Sequence, residues 1–133
     1  MSLDPKNKQM LTKVLGHPQT NLICAGNVDG NITLFDFSSN KITHSLNQAH
    51  TTQISSLAFS KTGLQLISGC HDGAIKLWDL RKLGSKPVPL CTVEKAHLPK
   101  YDESVTSLLV HPTSPLLIST GADSLVKIYE MFV

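Results

Sequence analysis

The stretch GCHDGAIKLWDL at positions 69–80 decides the fold, because its pattern recurs elsewhere in the chain. Two other segments align without gaps with its last ten residues, VDGNITLFDF at 28–37 and ADSLVKIYEM at 122–131. The aspartates at the shared position lie 43 and 51 residues apart. Self-similarity at such a spacing is typical of an architecture built from stacked repeats.

Each copy is surrounded by short runs rich in Val, Ile, Leu and Thr that end in turn residues, which is the pattern of β-strands. Asp-Gly at 29–30 and at 72–73 predicts tight hairpin turns, because glycine adopts positive φ without strain. A further strand is predicted near 41–46 and another near 88–93. No window has a helical period, so the sequence predicts an all-β array of three units. The units cover about residues 8–47, 48–94 and 95–133, and together they form one domain, 1–133.

Composition narrows the function classes. The 133 residues carry 12 Lys and Arg against 10 Asp and Glu, without a basic run, which argues against nucleic acid and anionic membranes as partners. The widely spaced Cys24, Cys70 and Cys91 are odd in number, so we expect reduced thiols in a cytoplasmic protein. No apolar run is long enough to span a membrane, and the polar start MSLDPKNKQM predicts neither a signal nor an anchor.

The chain resembles the WD40 family in its strand content, its repeat period and its pairing of an Ala-His with a Trp-Asp dipeptide. Ala49 stands in place of the Gly that usually precedes this His. The resemblance implies three WD40 blades of the four-stranded type, the last incomplete, in an open partial β-propeller. It also implies a buried hydrogen-bonded set of His, Ser, Asp and Trp in each blade. The Asp accepts from an imidazole N–H, the imidazole is hydrogen-bonded to the Ser hydroxyl, and that hydroxyl accepts from the Trp indole. Matching by position gives two such sets, His50, Ser68, Asp72 and Trp78 in the second unit and His97, Ser119, Asp123 and Tyr129 in the third.

The same residues could also be taken for catalytic or metal-binding ones. His50, Ser68 and Asp72 have the residue types of a hydrolase triad, so a serine hydrolase is the alternative from another class. Ser68, however, lies inside a strand without a nucleophile-elbow pattern, and its constellation is largely repeated in the third unit. Cys70 and His71 lack further residues at ligand spacing, so we expect no metal, no cofactor and no catalytic site.

The segment AHLPKYDESVTSLLVHPTSPLLISTGADSLVKIY at 96–129 is similar to the C-terminal end of striatin-family proteins, and the upstream segments fit the preceding two blades. This resemblance implies a scaffold in an assembly of phosphatase 2A with kinases, a Mob-like protein and a striatin-interacting protein. The phosphatase contact would belong to the family's coiled coil, which these 133 residues lack. A substrate adaptor or a corepressor module is the alternative within the WD40 fold.

The expected partner site is the insertion that distinguishes the third unit from the second, because inserted loops of repeat proteins often bind. An aromatic residue flanked by charges of both signs makes it a good anchor. The candidate residues are Leu98, Pro99, Lys100, Tyr101, Asp102 and Glu103, joined on the same face by His71, Thr51 and Thr52. Three blades do not close a ring, so we also expect self-association or marginal stability through open edges.

Overall fold

A computed structural model describes residues 10–84 and 86–131 as three antiparallel sheets. The first sheet holds β1 (Leu11–Gly16), β2 (Leu22–Asn27), β3 (Ile32–Asp36) and β4 (Lys41–Leu46). The second holds β5 (Ile54–Phe59), β6 (Gln65–Cys70), β7 (Ile75–Asp79) and β8 (Cys91–Val93), with a 3₁₀ turn at Leu80–Lys82. The third holds β9 (Val105–Val110), β10 (Leu116–Gly121) and β11 (Val126–Glu130). The predicted all-β fold, with a last sheet of fewer strands, is confirmed.

Strands that follow one another in sequence are neighbours within each sheet. The predicted Asp-Gly hairpins have the expected backbone, with φ of 87° at Gly30 and 93° at Gly73. Each of these glycines also lies against the next unit, since a Cβ at Gly30 would collide with the carbonyl oxygen of His50, and one at Gly73 with that of His97. The turns therefore dock each unit onto the histidine that opens the next.

Two apolar cores lie between successive sheets. Successive side chains of a strand point to opposite faces, so Leu66 packs toward the first sheet and Ile67 toward the third. Trp78 belongs to the first core, and Val105 to the second. The middle sheet is therefore covered on both faces, which explains why every residue of β5 and β6 is buried.

The connections that matter for function gather at one end of the sheets. Antiparallel strands reverse direction at each step, so the β6–β7 turn lies at the same end as the β4–β5 and β8–β9 connections. That end carries His71, Thr51, Thr52 and the 98–103 insertion. The fold thus places all the predicted partner-binding residues at a common end.

Candidate functional site

The second sheet buries a hydrogen-bonded histidine, serine and tryptophan. Ser68 is brought from β6, Trp78 from β7, and His50 from the connection that leads into β5. His50 Nε2 lies 2.7 Å from Ser68 Oγ, and Trp78 Nε1 donates to the same oxygen at 2.9 Å. All three side chains are buried, and Ser68 is fully so. The serine hydroxyl therefore satisfies two buried groups that would otherwise have no partner.

Asp72 does not join this set, which corrects the sequence-based expectation. Its Oδ2 accepts from Thr51 Oγ1 at 3.1 Å, and His50 Nδ1 is buried without a hydrogen bond. The physical reason is local: a hydroxyl immediately after His50 reaches the carboxylate. Desolvation, with the nearby Lys76 charge, lowers the pKa of His50 to about 4.

The third sheet contains the contact that the second lacks. His97 Nδ1 lies 2.8 Å from Asp123 Oδ1, and His97 Nε2 lies 2.8 Å from Ser119 Oγ. Leu98 follows His97 and has no hydroxyl, but its backbone N–H donates to Asp123 Oδ2 at 3.1 Å. Desolvation raises the pKa of Asp123, yet the hydrogen bonds from His97 and the backbone outweigh it and hold that pKa below its ordinary value.

Tyr129 is not the fourth member that the sequence suggested. It packs against the second apolar core, and no hydrogen bond of the described residues joins it to Ser119. An indole carries its N–H on the edge of the ring, whereas a phenol carries its hydroxyl at the tip, so the two polar atoms reach different places. The set in the third sheet therefore ends at the serine.

The predicted insertion forms a two-residue hairpin, which we name the 100–103 turn. The Lys100 N–H donates to the Glu103 carbonyl at 2.6 Å, and the Glu103 N–H donates to the Lys100 carbonyl at 3.0 Å. Tyr101 and Asp102, between them, have φ of 54° and 62°. Two consecutive residues with positive φ define a type I′ turn, which normally selects Asn-Gly or a similar pair. A tyrosine in this conformation is a genuine backbone outlier.

The 100–103 turn displays an aromatic side chain on a fixed base. Tyr101 is 89% exposed, and Lys100 Nζ lies 5.6 Å from the centre of its ring. At the base, Ser104 is fully buried and its hydroxyl donates to the His97 carbonyl at 2.5 Å. Leu98 is exposed, while its backbone N–H is held by the Asp123 carboxylate. The buried set of the third sheet thus fixes both ends of the exposed insertion.

The remaining candidates fall into two separate places. His71 and Glu103 line one open groove of about 450 Å³, together with Lys13. Thr51 is exposed and lines a second cleft of about 260 Å³ with Asp72. Thr52 is only partly exposed, and its hydroxyl is buried without a hydrogen bond, so it offers little to a partner. Pro99 is exposed beside Leu98, at the start of the insertion.

Comparisons with known proteins identify the architecture. The family model described as the Vps8 beta-propeller matches residues 7–119. The chain belongs to this β-propeller family. Its three sheets are therefore blades, and we use that word from here on.

Sequence and structure relatives agree with the two resemblances seen in the sequence. The striatin homolog of Dictyostelium discoideum is 38% identical over 119 residues, which are 89% of this chain and 14% of that protein. The β-propeller domain of Cps50 (Swd1) from Myceliophteria thermophila superposes with a TM-score of 0.78 at 20% identity, covering 96% of this chain and 37% of that one. The WD40 repeats of RRP9 superpose with a TM-score of 0.77 at 21% identity, covering 93% and 36%. The WD40 fold and the resemblance to striatin are confirmed, and the chain spans about one seventh of the length of its striatin relative.

The groove contains residues that sequence reasoning missed. Lys13 lies on β1, and Ser55 on β5 is buried with an unpartnered hydroxyl at the same groove. The one available signal is that Lys13 is the only charged residue in the aligned first strands LTKVLG, ISSLAF and VTSLLV. Nothing in the pattern marked the groove itself, because it forms only where neighbouring blades meet.

The structure also bears on metal and membrane sites. Among the described residues, no group of three or more His, Cys, Asp or Glu side chains is placed to hold a metal ion. Burial raises the pKa of the Cys24 thiol above its ordinary value, which disfavours the thiolate that a metal would need. Within residues 10–84 and 86–131, no helix has the length and apolarity to cross a membrane.

Proposed function

We propose that this chain is a non-catalytic scaffold that binds other proteins through the 100–103 turn. One observation carries the proposal: Tyr101 is 89% exposed while its backbone is held in the left-handed region. That conformation costs about 1–2 kcal/mol for a residue with a Cβ. Such strain is typically retained at binding sites, where it fixes a group in its bound geometry.

The turn has the properties of a binding anchor. An exposed tyrosine supplies a large contact area with few rotatable bonds, and tyrosines are enriched among the residues that dominate binding energy. Lys100, whose Nζ lies near the ring, and Asp102 and Glu103, which follow Tyr101 in the chain, offer charges of both signs. The partner that fits is a protein with an apolar pocket for the ring and a charged rim.

The finer proposal is that the chain is a striatin-like component of a phosphatase 2A and kinase signalling assembly in the cytoplasm. Its support is the resemblance to striatin over most of the chain. The candidate partners are those that the resemblance implies: a kinase, a Mob-like protein and a striatin-interacting protein. The phosphatase would be reached through a coiled coil, a segment that these residues do not contain.

Burial argues against the serine hydrolase alternative. Ser68 is fully buried, and its oxygen already contacts His50 and Trp78. Asp72, the third member of such a triad, bonds to Thr51 instead of His50. A fluorophosphonate probe should therefore leave Ser68 unlabelled in the folded chain, and labelling at Ser68 would reinstate the hydrolase.

The scaffold proposal is tested by pull-down with two purified probes, a Mob-like protein and a striatin-interacting protein. The wild-type chain should retain at least one of them, and the double variant Lys100→Glu/Tyr101→Ala should not. Val88→Ala is the matched control, because Val88 is 77% exposed in the connection at the other end of the blades. Equal retention by wild type and the double variant would reject the turn as the site.

We further propose that the chain self-associates through its third blade. β11 pairs only with β10 among the described strands, and its Val126 and Ile128 are 66% and 64% exposed. An exposed apolar edge strand is a template for another chain. Light scattering should show a mass that rises with concentration, and Ile128→Lys should lower it. A wild-type monomer across that concentration range would contradict this proposal.

A further inference from the structure

The second and third blades carry a histidine at equivalent positions, His50 and His97, but the two rings have different hydrogen bonds. His97 has partners on both ring nitrogens, Asp123 on Nδ1 and Ser119 on Nε2. His50 has a partner only on Nε2, and its buried Nδ1 has none. A buried polar atom without a partner costs about 1–3 kcal/mol, so this difference needs an explanation.

The missing partner of His50 Nδ1 is a hydrogen-bond acceptor. Ser68 Oγ already accepts from Trp78, so its own proton is satisfied when it donates to His50 Nε2. In that tautomer His50 Nδ1 carries the other proton and is a donor. The matching tautomer of His97 satisfies both protons of the set in the third blade, because the Ser119 hydroxyl donates to Nε2 and Nδ1–H donates to Asp123.

The acceptor for His50 is present but is held elsewhere. Asp72 and His50 line the same cleft, together with Lys76, Glu94 and Lys95. Asp72 Oδ2 instead accepts from the hydroxyl of exposed Thr51. At the corresponding position of the third blade, Leu98 has no hydroxyl, and its backbone N–H donates to Asp123 Oδ2 while Oδ1 stays on His97 Nδ1.

We propose that Asp72 is a two-position latch, held away from His50 by the Thr51 hydroxyl and free to bond His50 Nδ1 when that hydroxyl is removed or engaged. An acceptor such as a carbonyl oxygen of a docked polypeptide would engage Thr51 and release Asp72 inward. The surface of the second blade is thereby connected to the buried His50, Ser68 and Trp78. The third blade has no such latch, because its carboxylate is already engaged.

The latch is tested in the 133-residue chain by NMR of the histidine ring N–H groups. Wild type should show a slowly exchanging, downfield Nδ1–H signal from His97 but none from His50. His17 gives a separate ring signal that serves as a reference, because its Nε2–H donates to the Gly63 carbonyl at 2.7 Å. Thr51→Val should add a signal assigned to His50, and Thr51→Ser should match wild type because it keeps the hydroxyl. A downfield His50 signal in wild type, or none added in Thr51→Val, would overturn the latch.

The free energy of unfolding tests independently whether Asp72 bonds His50. Satisfying the buried N–H should lower the unfolding equilibrium constant of Thr51→Val about ten-fold. Adding Asp72→Asn to Thr51→Val should remove that gain, since the amide is a weaker acceptor than a carboxylate. A gain that survives Asp72→Asn would show that the valine acts by other means and would overturn the latch. No partner is used in either test, so their failure would leave the proposed docking turn intact.

Discussion

Replacing Ser68 by alanine should destabilise the chain far more than the loss of one hydroxyl suggests. Ser68 Oγ is the partner of both His50 Nε2 and Trp78 Nε1, at 2.7 and 2.9 Å, inside a fully buried site. Each buried polar group left without a partner costs about 1–3 kcal/mol. Two such groups predict a loss of about 4 kcal/mol in the free energy of unfolding.

Ser119 is the matched control, because it is equally buried but serves only His97 Nε2. Ser119→Ala leaves one group unsatisfied and should cost about 2 kcal/mol. Urea denaturation followed by circular dichroism measures both variants, and the fluorescence of Trp78 reports the second blade separately. Equal losses in the two variants, or a loss below about 1 kcal/mol for Ser68→Ala, would refute the account of the buried sets.

Three further predictions concern pH, the turn and the blade contacts. The pKa of His50 falls from 6.5 to about 4 on folding, so the unfolded chain binds the extra proton between these values. The contribution of His50 to the free energy of unfolding should be complete above about pH 6.5 and should fall by up to about 3 kcal/mol as the pH drops to about 4. A urea midpoint that does not change with pH over this range would contradict the prediction. Tyr101→Gly should raise the melting temperature, since glycine removes a cost of about 1 kcal/mol at φ 54°; a lower value would show that the side chain stabilises the fold. Gly73→Ala should cost more than about 2 kcal/mol in urea unfolding, because its Cβ would collide with the His97 carbonyl oxygen, whereas Gly84→Ala, with open space around it, should cost little.

Much of the fold could be predicted because each unit repeats the same local pattern. The spacing of the aligned aspartates placed the hairpins, and the runs of Val, Ile, Leu and Thr between turn residues placed the strands. The contacts of Ser68 with His50 and Trp78 were expected from the resemblance to the WD40 family, whose hydrogen-bonded set was matched to this chain by position. The positions of Ser68 and Trp78 on neighbouring strands are set by the register of β6 and β7.

The finer geometry depended on single neighbouring residues that a repeat pattern does not weigh. Thr51 and Leu98 occupy the same repeat position but bond their aspartates differently. The Thr51 hydroxyl donates to Asp72, which does not bond His50, whereas the Leu98 backbone N–H donates to Asp123, which does bond His97. Tyr129 matched Trp78 in the alignment but places its polar atom differently. The left-handed backbone at Tyr101 carried no glycine signal and so could be found only in the structure.

The affinity of the Tyr101→Gly variant for a partner tests the central claim most directly. This change removes the exposed ring and relieves backbone strain together, so it separates a lost contact from lost folding. Biolayer interferometry against whichever purified probe the wild-type chain retains should show at least a ten-fold weaker Kd, about 1.4 kcal/mol, alongside an unchanged or higher melting temperature. An unchanged Kd in a folded variant would contradict the proposal that the 100–103 turn is the binding site.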